Sequence, residues 1–269
     1  MPNPVFNEDT MKRDAKGWAA PVPGTHAPVE PADGPVSTWQ RGMTVNGTIT
    51  AALVLLAMLL VSASFGWSAA DGPTLENGQE TYQFPALAIG GIIIGFIAVI
   101  AAYFKPRLAK FLGPVYAIGY GFAVGAISKG YETFYDGIVV QAIAATLAVF
   151  GVMLFLYRTR IIKVTEKFRR TVIFATLGIM VMYGVSFIIS LFGGDVPYLN
   201  SPSLLGIGLS VVISVIAALN LALDFDLIER GSKTGLAQDY EWVAALGLVV
   251  TVVWLYLEML RLLSLLQQR

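Results

Sequence analysis

Three groups of ionisable residues interrupt otherwise apolar stretches of this sequence, and carboxylates dominate all three. The first is Glu258, in the stretch Trp254-Leu-Tyr-Leu-Glu258-Met-Leu-Arg261. If residues 242–266 form one helix, its midpoint falls at Trp254, and Glu258 lies about 6 Å along the axis from it. A carboxylate at that depth in a bilayer costs about 2.5–3.5 kcal/mol unless it is paired or hydrated. Arg261, at i+3, offers an intrahelical pair; otherwise the acid reads as an ion or proton site. The second group, Asn220-Leu-Ala-Leu-Asp224-Phe-Asp226-Leu-Ile-Glu229, closes another apolar run. Asn220 and Asp224 are four apart and share a helix face, while Asp226 points elsewhere. Either this helix end emerges into water, where acids cost little, or Asp224 is a functional membrane acid. The third group, Asp239-Tyr-Glu241-Trp242, precedes the last apolar run. Acids suit the positive end of a helix dipole and Trp242 suits the membrane interface. Glu241 is in addition a candidate gate that admits cations.

Other chemistry is bounded by what the sequence lacks. The chain has no Cys, and its single His, His26, lies in the polar N-terminal stretch. Disulfides, thiolate nucleophiles, Cys-based metal sites and a His proton relay at membrane depth are excluded. There is no GxxxxGK[ST] phosphate cradle, no HExxH and no GxGD-like stretch. The expectation is a protein that is not an enzyme and takes no cofactor. Eighteen Lys and Arg balance eighteen Asp and Glu, which argues against a nucleic-acid partner. Gln141 and Thr146 suit interhelical hydrogen bonds. Gly91-x-x-x-Gly95 and Gly121-x-x-x-Gly125 suit close helix packing within the chain, with a dimer face as the other use. Asn46-Gly-Thr48 matches a glycosylation sequon but lies at the mouth of a span on the expected cytoplasmic side, so it is not read as one.

The elements that must hold these residues follow from composition. Hydrophobic residues make up 56% of the 269 and charged residues 13%, against about 25% charge in a soluble domain. Mean hydropathy is +0.68. An all-α integral membrane protein is the fold class expected, with the lipid bilayer as its solvent. Residues 1–43 hold seven of the thirteen prolines and no apolar periodicity; they read as a disordered Pro-rich cytoplasmic tail, not a signal peptide. Residues 44–269 read as a seven-span membrane domain, with spans at about 44–66, 85–104, 111–128, 137–157, 171–192, 204–226 and 242–266. The third run is the shortest and holds Pro114 and several glycines, so a six-span chain with one re-entrant segment is the alternative. Basic residues gather in alternate connections. Residues 158–170 carry Arg158, Arg160, Lys163, Lys167, Arg169 and Arg170 against Glu166 alone, and 105–110 carry Lys105, Arg107 and Lys110. The 67–84 loop instead carries Asp71, Glu76 and Glu80 with no Lys or Arg. The positive-inside rule puts the N-terminus in the cytoplasm of a multi-pass cell-membrane protein, and an odd number of spans puts the C-terminus outside.

Several stretches, taken together, give the chain a likeness. They are Met43-Thr-Val at the first span, Pro114-Val-Tyr-Ala-Ile-Gly-Tyr-Gly-Phe-Ala-Val-Gly-Ala-Ile-Ser128 in the third, Gln141-Ala in the fourth, Asp224-Phe-Asp-Leu-Ile-Glu229 closing the sixth, and Leu255-Tyr-Leu-Glu258 in the seventh. Over roughly 40–266 the chain resembles the Bax inhibitor/YccA (TMBIM) family, and especially its bacterial Bax-inhibitor-like branch. The resemblance implies a seven-transmembrane helix bundle with the last helix central. It also implies a pH-sensitive calcium leak in which one acid from span six and one from span seven share a proton and latch the pore. By motif match these are Asp224 and Glu258, through which Ca²⁺ passes transiently. Arg107 is the nearest match to the family's basic latch partner, with Lys105 as the alternative. Asp226, Glu241 and Arg261 are the remaining candidate partners. The chain departs from the pattern in having Glu as the second acid and a wider separation between the two. Straight helices would hold Asp224 and Glu258 about 15–20 Å apart, so a latch needs span seven to start late, tilt or break, or else Glu241 is the partner of Asp224.

The function expected is therefore a passive, pH-gated pathway for Ca²⁺, with protons as the second ligand. Carboxylate oxygens suit a hard cation, and no nucleotide-binding part exists to drive pumping. Two alternatives use the same sequence differently. One is a non-transporting regulator that binds another membrane protein, such as a membrane-anchored protease, with the tail as docking element. The other is an H⁺-coupled Ca²⁺ exchanger.

Overall fold

A computed structural model describes residues 42–70, 74–76, 79–82, 84–192 and 201–269. Within them seven helices are long and apolar enough to cross a membrane: α1 (Val45–Ala69), α2 (Ala86–Phe104), α3 (Ala109–Phe134), α4 (Ile138–Arg158), α5 (Glu166–Leu191), α6 (Leu204–Thr234) and α7 (Tyr240–Gln267). The expected tail falls on residues outside the described ones, except for its last two. Between α1 and α2 two short strands, β1 (Thr74–Glu76) and β2 (Gln79–Thr81), pair antiparallel with Thr74 opposite Thr81.

Helix starts follow local chemistry. Thr44, Thr165 and Ser203 are extended N-cap residues whose hydroxyls accept from the backbone N–H groups of Gly47, Phe168 and Gly206. Each satisfies one of the donors that a helix N-terminus leaves open. Gly235, in the left-handed region at φ 67°, ends α6, a conformation glycine adopts without a Cβ clash.

The structure moves three expected boundaries. The third span is one continuous helix of 26 residues with Pro114 inside it, so the re-entrant alternative is excluded. Helix α5 starts at Glu166 rather than near 171. Helix α6 runs to Thr234 rather than ending near Asp226. In both extensions the added turns are charged, and hydropathy registers where lipid contact stops, not where the helix stops.

Packing is closest where residues are smallest. Gly91 of α2 lies against the Gly119 backbone of α3, and Gly121 and Gly125 of α3 lie against Leu59 and Ala63 of α1. Both small-residue motifs are thus used inside the chain. Helix α7 is the centre of the bundle and packs against α1, α2, α3, α4 and α6. The buried share of its apolar window is 61%, against 11% for α5 at the periphery.

Candidate functional site

Acidic side chains from α6 and α7 occupy four distinct settings, each fixed by the residues that face it. Glu258 is 4% exposed on the central helix. Its Oε1 accepts a hydrogen bond of 2.5 Å from the Tyr183 hydroxyl of α5. Arg261 Nη1 donates to the same Tyr183 oxygen at 2.5 Å and stands 3.6 Å from Glu258 Oε2. The i+3 pairing anticipated from sequence is therefore present, but Tyr183 bridges it. Glu258 Oε2 has no hydrogen bond among the described residues.

Asp224 faces α7 at a different level. A methyl group built on Gly247 would lie 3.7 Å from Asp224 Oδ1. The Thr251 hydroxyl, which donates to the Gly247 carbonyl at 3.1 Å, stands beside the carboxylate. Asp224 Oδ2 is buried with no hydrogen-bond partner among the described residues. Glu258 lies seven to eleven residues beyond Thr251 and Gly247 on α7, which is about 10–16 Å along the axis. Asp224 therefore touches neither of the partners considered from sequence. The proton-sharing latch implied by the resemblance is not formed in this structure. Helix α7 neither starts late enough nor breaks to bring Glu258 down to Asp224, and Glu241 is engaged elsewhere.

Glu241, 6% exposed at the start of α7, accepts from both the backbone N–H and the hydroxyl of Thr44, each at 2.8 Å. It completes the cap of α1. The chain just before α1 is also bound to the α6–α7 turn: Met43 N–H donates to the Leu236 carbonyl at 2.6 Å, and Gly42 forms a bridge with Ala237. Glu241 thus holds a neighbouring helix as well as meeting the dipole of its own.

Asp226 and Glu229 lie in the charged extension of α6. Asp226 Oδ2 accepts from Arg169 at 2.9 Å and pairs with Arg230. Glu229 accepts from the Tyr157 hydroxyl at 2.5 Å and pairs with Arg160 at 2.7 Å and Lys233 at 2.5 Å. Asn220 donates to the Thr176 hydroxyl of α5 at 2.8 Å. Although Asn220 and Asp224 are one turn apart, they serve different neighbours, α5 and α7. Lys105 and Arg107 sit exposed at the turn between α2 and α3, and that turn packs against α7. The buried companions of the two membrane acids come from α5 and α7 instead.

Sequence reasoning missed Tyr183 and Thr251. Tyr183 is the only phenol in the fifth span, and its polar tip in an apolar helix was the available signal. Thr251 carried none, since a threonine in a span bonds its own backbone as readily.

A cavity of about 480 Å³ opens beside the C-terminal turns of α3 and α7, lined among others by Tyr82, Tyr131, Tyr135, Arg261 and Ser264. It reaches Arg261 and so abuts the Tyr183–Glu258 cluster. Among the described residues no group of three or more acids and histidines is placed to hold a metal ion.

No curated protein matches the chain. A model of the Bax inhibitor 1 like family, however, matches residues 3–268, and the chain, a multi-pass membrane protein with seven helices long and apolar enough to span among its described residues, belongs to that family.

Proposed function

We propose that this protein is a passive, non-enzymatic and pH-sensitive leak pathway for cations, with Ca²⁺ as its substrate, in a cell membrane with the N-terminus cytoplasmic and the C-terminus outside. The observation that carries this reading is the buried, unbonded Oδ2 of Asp224 between α6 and α7. An ionised carboxylate left without a counter-charge costs several kcal/mol, so a proton or a cation has to accompany it. Exchange of one for the other couples cation passage to pH. Glu258, with its own unbonded Oε2, is a second stop about 10–16 Å further along α7. At that spacing the two acids act as successive stations rather than as one latched pair. Family membership supports the setting.

The test is Ca²⁺ flux into dye-loaded liposomes holding the purified protein, scanned from mildly acidic to mildly alkaline pH without a proton gradient. The wild type is expected to show flux that changes with pH, and Asp224→Asn and Glu258→Gln each to flatten that profile. Absence of flux above empty liposomes from folded protein would overturn the proposal. So would two variants that both track pH as the wild type does.

A further inference from the structure

The connection between α4 and α5 carries more cations than its own architecture uses. Three acids, Glu166, Asp226 and Glu229, engage four cations, Arg160, Arg169, Arg230 and Lys233. These pairs and the Tyr157–Glu229 hydrogen bond tie the connection to the end of α6. Arg160 turns the chain there in the left-handed region at φ 60°. Arg158, Lys163, Lys167 and Arg170 remain, all exposed, with no ion pair or hydrogen bond from their side chains among the described residues. A topological role for these charges requires their number but not their arrangement. The arrangement is specific. Lys167 and Arg170 head a stripe on α5 that continues through Phe174, Leu177 and Val181, at spacings of three and four residues, with exposures of 71%, 49% and 65% for the last three. The opposite stripe, Val172, Thr176, Ile179 and Tyr183, turns toward the bundle. From Arg170 to Val181 the stripe is about 16 Å long, close to half of a hydrocarbon core of about 30 Å.

We infer that this face of α5 binds an anionic phospholipid, with the headgroup phosphate on Lys167 and Arg170, Arg158 and Lys163 adding to the field, and an acyl chain along Phe174, Leu177 and Val181. Two cations at the interface above one apolar track match the charge and the length of one lipid leaflet. The ion pairs to α6 hold the cationic end in place before any lipid arrives. The inference is independent of ion conduction.

The experiment is native mass spectrometry of the full chain, released from detergent with phosphatidylglycerol or phosphatidylcholine added, and affinities taken for the first lipid bound. The wild type is expected to prefer phosphatidylglycerol. Each cation near a membrane surface contributes about a fivefold preference for anionic lipid, so Lys167→Gln with Arg170→Gln should lose roughly 30-fold. Both positions are exposed, and the double variant should keep the wild-type melting temperature without added lipid. Lys105→Gln with Lys110→Gln, at the other basic turn, removes the same charge away from the proposed headgroup site and should lose clearly less than the roughly 30-fold of the first variant. Glycerol phosphate, which has the headgroup but no acyl chain, should not compete. Retention of the wild-type preference in the first variant, an equal loss in the second, or competition by glycerol phosphate would each overturn the inference.

Discussion

Tyr183→Phe removes one oxygen and, with it, the link between α5 and the central helix. That oxygen donates to Glu258 Oε1 and accepts from Arg261 Nη1, both at 2.5 Å. Its loss leaves Oε1 as unbonded as Oε2 already is, with Arg261 at 3.6 Å as the nearest cation. Interhelical hydrogen bonds in membranes average about 0.6 kcal/mol, whereas bonds to charged groups are worth about 1.5–3 kcal/mol. The second scale governs here, because Glu258 is buried and the Tyr183 hydroxyl makes the short hydrogen bond to its carboxylate, with Arg261 and the Trp254 side chain as weaker neighbours. A loss of about 2 kcal/mol is expected, which for a chain of this size lowers the melting temperature by roughly 4–8 °C. The assay is thermal unfolding of the purified protein in detergent, followed by intrinsic fluorescence, for the wild type, Tyr183→Phe, Glu258→Leu and the double variant. With Glu258 already replaced, Tyr183→Phe forfeits only its bond to Arg261, so the cycle should return a coupling of about 1 kcal/mol or more. Equal shifts in both backgrounds would refute the bridge, as would a silent Tyr183→Phe in the wild type.

Gly125→Ala should cost about 1–3 kcal/mol, because its new methyl would meet the Ala63 carbonyl and lie 2.8 Å from Ala63 Cα of α1. Gly178→Ala, which meets nothing within 4 Å, should be neutral or stabilising by up to about 1 kcal/mol; thermal melts of the two, side by side, test the glycine reading. Thr44→Val deletes both the cap on Gly47 N–H, 2.9 Å, and the 2.8 Å hydrogen bond to Glu241. It should cost about 1–2 kcal/mol and speed hydrogen exchange at Gly47, while Thr44→Ser should behave as the wild type.

The spanning helices were legible because a bilayer imposes one requirement, an apolar stretch of sufficient length, and composition reports it directly. The small-residue contacts of Gly91, Gly121 and Gly125 were legible for a related reason: a missing side chain is visible in sequence. Helix ends were less so. Asp226 and Glu229 ended the apolar run, yet they pair at i+4 with Arg230 and Lys233 and so extend the helix they were expected to terminate. As a result Asp224, placed near the interface from sequence, lies ten residues before the end of α6. Lateral partners were least legible. In water a helix shows its buried stripe as a break in polarity. In lipid both faces are apolar, and the rotation of α5 toward α7 leaves no such mark. Glu241 shows the same limit, since its fit to the dipole of its own helix concealed its hold on Thr44.

Helix α5 also explains why the polar groups are where they are. With so little of it buried, shape alone gives it a weak hold on the bundle, and lipid supplies no hydrophobic drive to press it inward. Among the described residues its inner face makes polar contacts at three levels: Arg169 to Asp226 with Glu166 near Arg230, Thr176 to Asn220, and Tyr183 to Glu258. Two of the three use an acid from α6 or α7. Substitution of Asp226 or Glu258 therefore removes a polar contact at one end of α5 and leaves the Thr176–Asn220 hydrogen bond at its middle.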